Sequence, residues 1–223
     1  MEKGIFIAFE GIDRSGKATQ SKLLAEHLKE KEQPVVLIHF PQYGKRSAGL
    51  IKNYLEGKYG SAEEVGPYRA SIFFAVDRYD KSFEIRQYLE QGTTVISDRY
   101  WASNVGHQGG KIQDGEERKK FFQWLYYLEF KIFTIPQPDL TLLLKTSPEL
   151  TQRLVAGQKK EDIHENDIKH ERNALRAYLE VAEEFPEQFK TIECVENQQF
   201  LSPELIHQRV WKIVESFLLT DKK

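Results

Sequence analysis

Residues 11–19 read Gly11-Ile12-Asp13-Arg14-Ser15-Gly16-Lys17-Ala18-Thr19. Two glycines allow a backbone turn whose N–H groups converge on one anion, and the lysine that follows the second adds a mobile positive charge. The run follows an apolar stretch and opens a helical pattern. In that context such a loop cradles phosphates, and the helix N-terminus adds its dipole. Ala18 departs from the pattern, which places Ser or Thr directly after the lysine to ligate magnesium; a methyl group cannot do so. Thr19 supplies the next hydroxyl, and the remaining alternative is a metal held by carboxylates and water. A second signal, Asp98-Arg99-Tyr100, follows Thr93-Thr94-Val95-Ile96-Ser97. Asp98 therefore falls at the carboxyl end of a predicted central strand, where doubly wound sheets bind ligands. A carboxylate there can hold the water shell of a magnesium ion.

The elements that must position these residues are legible as an alternation. Short apolar or β-branched runs at Ile5–Phe9, Val35–Phe40, Thr94–Ser97, Leu140–Leu144 and Lys190–Cys194 are bounded by Gly, Pro or charge, as parallel strands covered on both faces should be. Helical stripes lie between and after them: Leu23, Leu24 and Leu28; Phe121, Leu125 and Leu128; and Ile206, Val210, Ile213 and Phe217. Ser202 is the expected N-cap of the last helix, with Pro203 in its first turn. The pattern predicts one α/β domain over residues 1–223, a doubly wound parallel β-sheet of about five strands flanked by helices, the P-loop NTPase fold. The polar run Lys159-Lys160-Glu161-Asp162-Ile163-His164-Glu165-Asn166-Asp167 reads as a solvated loop, and in a phosphate-transferring enzyme as a lid over about 155–168.

Composition narrows the class. Among 223 residues, 32 Lys and Arg against 34 Asp and Glu leave a net charge of −2, so no nucleic-acid or membrane surface is expected and anion binding must be local. The single cysteine, Cys194, excludes an intrachain disulfide and suits a reducing cytosol. The run from Ile5 to Phe9 is too short for a membrane span or a signal-peptide core, so a cytoplasmic protein is expected. The six histidines show no metal-ligand spacing and read as ordinary.

Taken together, Phe9-Glu10-Gly11 through Lys17, Phe40-Pro41, Phe74-Ala75-Val76-Asp77-Arg78 and Asp98-Arg99-Tyr100-Trp101-Ala102-Ser103-Asn104 resemble the thymidylate kinases. The likeness continues through Pro138-Asp139-Leu140-Thr141 and Asp162-Ile163-His164-Glu165, and so covers nearly the whole chain. It implies ATP-dependent phosphorylation of thymidylate (dTMP) with Mg2+, in nucleotide biosynthesis, by a homodimer. It also implies that Gly11, Asp13, Arg14, Ser15, Gly16, Lys17, Ala18 and Thr19 hold ATP, with Arg153 on the adenine. Phe74 resembles the aromatic that stacks on thymine, Arg78 and Asn104 the groups reading its polar edge, and Phe40 a wall of the same pocket. Asp13 corresponds to the carboxylate on the sugar 3′-hydroxyl, Arg99 to the arginine gripping the acceptor phosphate, and Ser103 and Gln108 to neighbours of the nucleotide. A phenylalanine is more commonly core. On one helix, however, Phe74 and Arg78 share a face and offer a ring plane beside a fork of donors.

A phosphate monoester has its second pKa near ~6 and arrives mostly dianionic, so the transfer needs charge neutralisation and in-line alignment rather than a general base. Lys17, Arg14, Arg99 and magnesium would provide these, with Asp98 and Thr19 as metal ligands. Arg14 in the loop is the pattern of family members that carry a cis-acting arginine there, and Lys159 and Lys160 blur that division. The rivals are another nucleoside or nucleoside-monophosphate kinase and a catalytically weak P-loop nucleotide-binding protein. A GTPase-type switch would need an Asn-Lys-x-Asp motif, and the sequence has no Asn-Lys pair.

Overall fold

The first apolar run builds β1, Phe6–Glu10, in which every residue is buried. A strand buried on both faces must serve two cores with alternating side chains. Phe6 and Ala8 join one cluster, and Ile7 and Phe9 the other. The same division runs through β4, Leu140–Lys145, where Leu143 faces the first cluster and Leu142 and Leu144 the second. The computed structural model describes residues 3–153 and 168–220. In them β2 (Val35–His39), β3 (Thr94–Asp98) and β5 (Phe189–Glu193) complete a parallel five-stranded sheet of order β2-β3-β1-β4-β5. After β1 the chain crosses to the sheet edge at β2, comes back to β3 beside β1, and then passes to the other side to add β4 and β5. This leaves a crevice at the carboxyl ends of β1 and β3, the switch point of a doubly wound sheet.

All five expected strands are present, with ends displaced by a residue or two. Ile5 precedes β1, Phe40 follows β2, Asp98 and Lys145 close β3 and β4, and Cys194 lies just beyond β5. A small antiparallel hairpin, β6 (Val195–Glu196) with β7 (Gln199–Phe200), follows.

Helices cover both faces. On the second cluster lie α1 (Lys17–Glu30), through Leu24 and Leu28, and α8 (Pro203–Thr220), through Ile206, Val210 and Val214. Leu23 is half-buried, and Ile213 and Phe217 pack at the margin. Ser202 caps α8 by accepting from the Leu205 N–H at 3.3 Å. On the first cluster lie α4 (Ala102–His107), α5 (Gly115–Tyr126) and α7 (Ile168–Glu184). Phe121 and Leu125 project from α5, while Leu128 falls in a π-turn over Tyr127–Ile132. Two short helices, α2 (Gly49–Leu55) and α6 (Pro148–Arg153), pack against α3 (Ala62–Glu90) and α7 respectively. The long α3 starts on a Ser61/Glu64 capping box and breaks at Gly66, φ 73°, before Pro67. Helices α4 and α7 meet at close range. A Cβ on Gly106 would lie 2.2 Å from the Tyr178 ring, so only glycine fits there.

Candidate active site

The loop between β1 and α1 has the conformation its glycines predict. Gly11 (φ 142°) and Gly16 (φ 93°) are both left-handed, and a Cβ on Gly11 would come within 2.6 Å of the Leu144 carbonyl oxygen. Arg14 also has positive φ, 61°, which is strained for an arginine. Lys17 folds back over the loop, donating to the Ile12 carbonyl at 2.6 Å and the Ser15 hydroxyl at 3.3 Å. Burial first, and then the charge of Arg99, lower its ammonium to about 8. Arg14, Gly16, Lys17, Ala18, Thr19, Asp98 and Arg99 line one cleft. Within it Asp98 Oδ1 is buried without a hydrogen-bond partner. A carboxylate oxygen left unpaired beside a phosphate-binding loop fits a hydrated divalent cation, which would satisfy it. Thr19 is exposed on the same wall, and Ala18 offers the cleft no oxygen.

A second cleft adjoins the first. Asp13, Phe40, Phe74, Arg78, Arg99, Ser103, Asn104 and Gln108, the residues expected around the acceptor, all line it. Arg99 lines both clefts. It follows β3 with φ 68°, pairs with Asp13, and donates to Ser103 Oγ at 3.3 Å and His107 Nε2 at 3.1 Å. Burial alone would raise the Asp13 carboxyl, yet the Arg99 guanidinium outweighs it and holds Asp13 below the usual carboxylate range. The Asp13 N–H donates to Glu171 Oε2 at 3.1 Å. Burial, and then the Asp13 charge, push Glu171 up to about 7.

Arg78 is buried, its Nε donating to Glu129 Oε2 at 2.8 Å and its Nη2 to Oε1 of the same carboxylate. Its Nη1 reaches the Tyr100 carbonyl at 3.4 Å. One edge of the guanidinium is thus committed to Glu129, and the group is fixed at the cleft wall. Asn104 donates from Nδ2 to the Ser71 carbonyl at 3.1 Å, which orients its amide and leaves Oδ1 as its remaining acceptor. Gln108 is buried, with Oε1 accepting from Lys111 Nζ at 2.8 Å. Phe74 is half-buried and meets the Tyr54 ring edge-on at 6.3 Å, and Phe40 precedes a cis bond to Pro41.

Some expected residues are not brought together. Arg153 ends α6, is exposed, and lines neither cleft. The expected lid, Lys159 and Lys160 included, lies outside the described residues, apart from Ile168, which begins α7.

Other functional residues were not singled out from the sequence. Glu10 ends β1 and accepts from the Tyr100 N–H at 2.8 Å, Ser103 Oγ at 2.7 Å and the Tyr178 hydroxyl at 3.2 Å, tying β1 to α4 and α7. Asp77 accepts from the Gln42 N–H at 2.8 Å and Ser47 Oγ at 2.5 Å, ordering the strand-to-helix loop that carries Phe40. Glu129 had a local signal, a lone carboxylate in the apolar run Leu128-Glu129-Phe130. The histidines His107 and His170 are far apart in sequence but meet at 3.2 Å.

Comparison with known proteins places this geometry. A family model described as "Thymidylate kinase" matches residues 9–202. The chain is 31% identical to a probable thymidylate kinase of Thermococcus gammatolerans, across 97% of this chain and 99% of that one. It is 29% identical to the thymidylate kinase of Bifidobacterium longum, across 96% of each chain. Among solved structures, the thymidylate kinase of Candida albicans superposes with a TM-score of 0.76 at 23% identity, covering 96% of this chain and 92% of that one. This last likeness concerns the fold.

Proposed function

The chain belongs to the thymidylate kinase family, and from that premise we infer that its paired clefts transfer the γ-phosphoryl group of ATP to the phosphate of thymidylate, giving dTDP. The observation that carries the reading is Arg99, which lines both clefts and so can touch the donor and acceptor phosphates at once. Positioning two phosphates against one fixed guanidinium is most of what phosphoryl transfer asks of a protein.

The donor triphosphate occupies the loop from Gly11 to Thr19, with Lys17 released from Ile12 and Ser15 onto its oxygens. Arg14 lies within that loop and meets charge developing between donor and acceptor. Asp98 and Thr19 would hold magnesium, which when bound neutralises the donor phosphates. On the acceptor side Phe74 stacks on thymine against Phe40, while Arg78 and Asn104 read its polar edge. Ser103 and Gln108 close around the nucleotide. Arg99 exchanges Asp13 for the incoming phosphate, and Asp13 turns to the sugar 3′-hydroxyl. The acceptor is already dianionic, and the site assigns no residue as general base. The family resemblance assigns the adenine to Arg153, which lines neither cleft, and a lid to residues 155–168.

The protein is proposed to act in the cytoplasm as a homodimer. No helix among the described residues is long and apolar enough to cross a membrane. Ile72, Tyr79 and Phe83 are exposed along α3 at 40%, 41% and 53%, an apolar row suited to a second copy. Sedimentation should read twice the 26.1 kDa chain mass.

The decisive assay is coupled ADP release across a panel of nucleoside monophosphates. Thymidylate should be the best acceptor. Deoxyuridylate should be weaker by about 10–200-fold in kcat/KM, the worth of one methyl in a fitted pocket. A clear preference for guanylate, adenylate or unphosphorylated thymidine refutes the assignment.

A further inference from the structure

At the margin of the acceptor cleft, which His107 lines, three side chains from two helices converge, and the roles assigned above use none of them. His107, at the end of α4, sets its Nδ1 3.2 Å from His170 Nε2 on α7, with the rings inclined by only 23°. One carboxylate oxygen of Glu171 completes a triangle whose atoms all lie within 4.8 Å of one another. Two imidazole nitrogens bound tetrahedrally at about 2.0–2.1 Å stand about 3.3 Å apart, so the histidine pair already has the bite that a zinc-like ion requires.

We propose that His107, His170 and Glu171 form a binding site for a borderline divalent transition cation, with Zn2+ as the reference ion, and that its occupation withdraws Arg99 from the acceptor cleft.

The scaffold is rigid at this point. Gly106 lies against the Tyr178 ring, and a Cβ on Gly110 would fall 2.8 Å from the Asn173 backbone, so α4 and α7 hold the ligands at fixed spacing. Glu171 is oriented by the Asp13 N–H at 3.1 Å, the kind of outer-shell bond that fixes a carboxylate ligand. Two imidazoles and one carboxylate suit zinc, nickel or copper and leave positions for water, whereas magnesium and calcium prefer all-oxygen sets. The Arg99 charge nearby is offset by Asp13, the carboxylate it grips.

Proton positions give the coupling. An Arg99 N–H donates to His107 Nε2 at 3.1 Å, so neutral His107 carries its one proton on Nδ1 and donates it to His170 Nε2. A cation between the rings takes the Nδ1 lone pair, and the proton moves by exchange with water to Nε2. No proton is gained or lost by the ring. Nε2–H then points at an arginine N–H, two donors face each other, and Arg99 must turn away. Binding of the metal stands on the geometry alone; the effect on turnover rests on the acceptor role given to Arg99 above.

The test uses the full chain, freed of metal and without nucleotides. Zn2+ is titrated by calorimetry, and Co2+ by the visible absorption of a low-coordinate cobalt site. One ion should bind per chain. His170→Ala and Glu171→Gln, two independent variants checked for native melting, should each weaken binding, the histidine loss by more than about 100-fold, since outer-shell losses already cost 10–100-fold. His27→Gln removes another facing pair, His27 Nδ1 and His207 Nε2 at 3.1 Å, and should leave binding unchanged. Loss of binding in His27→Gln, or undiminished binding in both His170→Ala and Glu171→Gln, overturns the site. In a separate assay at saturating Mg2+ and ATP, Zn2+ should raise the KM for thymidylate in the parent and not in His170→Ala. If the parent binds Zn2+ with KM unmoved, the coupling to Arg99 is wrong while the metal site stands.

Discussion

Glu129 offers the sharpest separation of stability from function. It lies in the π-turn after α5, wholly buried, and its carboxylate is the partner of an Arg78 side chain only 2% exposed. Glu129→Ala strands a buried guanidinium, and removing one member of such a pair typically costs about 3–5 kcal/mol. Against a total of about 5–15 kcal/mol for a domain, that is a large fraction of the folding free energy. Replacing both partners with apolar residues of similar size, Arg78→Met with Glu129→Leu, removes the stranded charge, and such replacements are often neutral or stabilising. Urea unfolding of the parent, Arg78→Met, Glu129→Leu and the double variant closes a cycle that isolates the coupling, with Glu129→Ala measured alongside. The double variant should recover most of the lost stability while its kcat/KM for thymidylate stays low, because the group assigned to the base edge is gone. If Glu129→Ala costs less than about 1 kcal/mol, Arg78 is not held as described. If the double variant regains full activity, Arg78 does not read the acceptor.

Other expectations follow from the same geometry. Arg14→Gly should lower kcat by about 10²–10³-fold, the worth of a transition-state donor, while the affinity for ATP changes less; single-turnover kinetics separates the two. Thr19→Val should raise the magnesium concentration for half-maximal rate if the Thr19 hydroxyl meets the metal, and Ala18→Ser should lower it. If neither moves it while Asp98→Asn abolishes activity, the ion is held through Asp98 and water. Burial pushes the Cys194 thiol up to about 12, so the folded chain keeps a proton that the unfolded chain, near 9, releases. Stability attached to this group is therefore complete below pH 9 and is lost as pH rises toward 12, and Cys194→Ala should flatten that alkaline loss in unfolding measured from pH 8 to 11.

What could be read in advance divides by range along the chain. The loop from Gly11 to Thr19 and the Asp98-Arg99-Tyr100 turn were legible because each is contiguous and its chemistry follows from neighbouring residues. The central strands were legible because double-sided burial leaves a nearly continuous apolar run, as in Leu140–Leu144, which Thr141 alone interrupts. Their ends were not, since Glu10 and Asp98 are polar residues that still pair in the sheet, Glu10 bonded to Tyr100 and Ser103 and Asp98 lining the donor cleft. The residues assigned to the acceptor came from resemblance, and the structure brings all eight to one cleft. The supporting carboxylates escaped because their partners are remote: Glu129 answers Arg78 from 51 residues away, and Glu10 meets Tyr178 across 168. The meeting of His107 with His170 escaped for the same reason, as no spacing rule spans 63 residues.

Arg14, in the donor cleft, and Arg99, which lines both clefts, hold positive φ of 61° and 68°. A left-handed L-residue costs roughly 1–2 kcal/mol, and glycine or asparagine would release much of it. Any search for hardier variants, by heat selection or by choosing the residue that best suits each backbone angle, is therefore drawn to these two positions. The sequences it prefers would tolerate higher temperatures and transfer phosphate poorly. An engineer seeking a robust enzyme should hold both arginines fixed from the outset and look for stability in the helices on the far side of the sheet, where α1 meets α8.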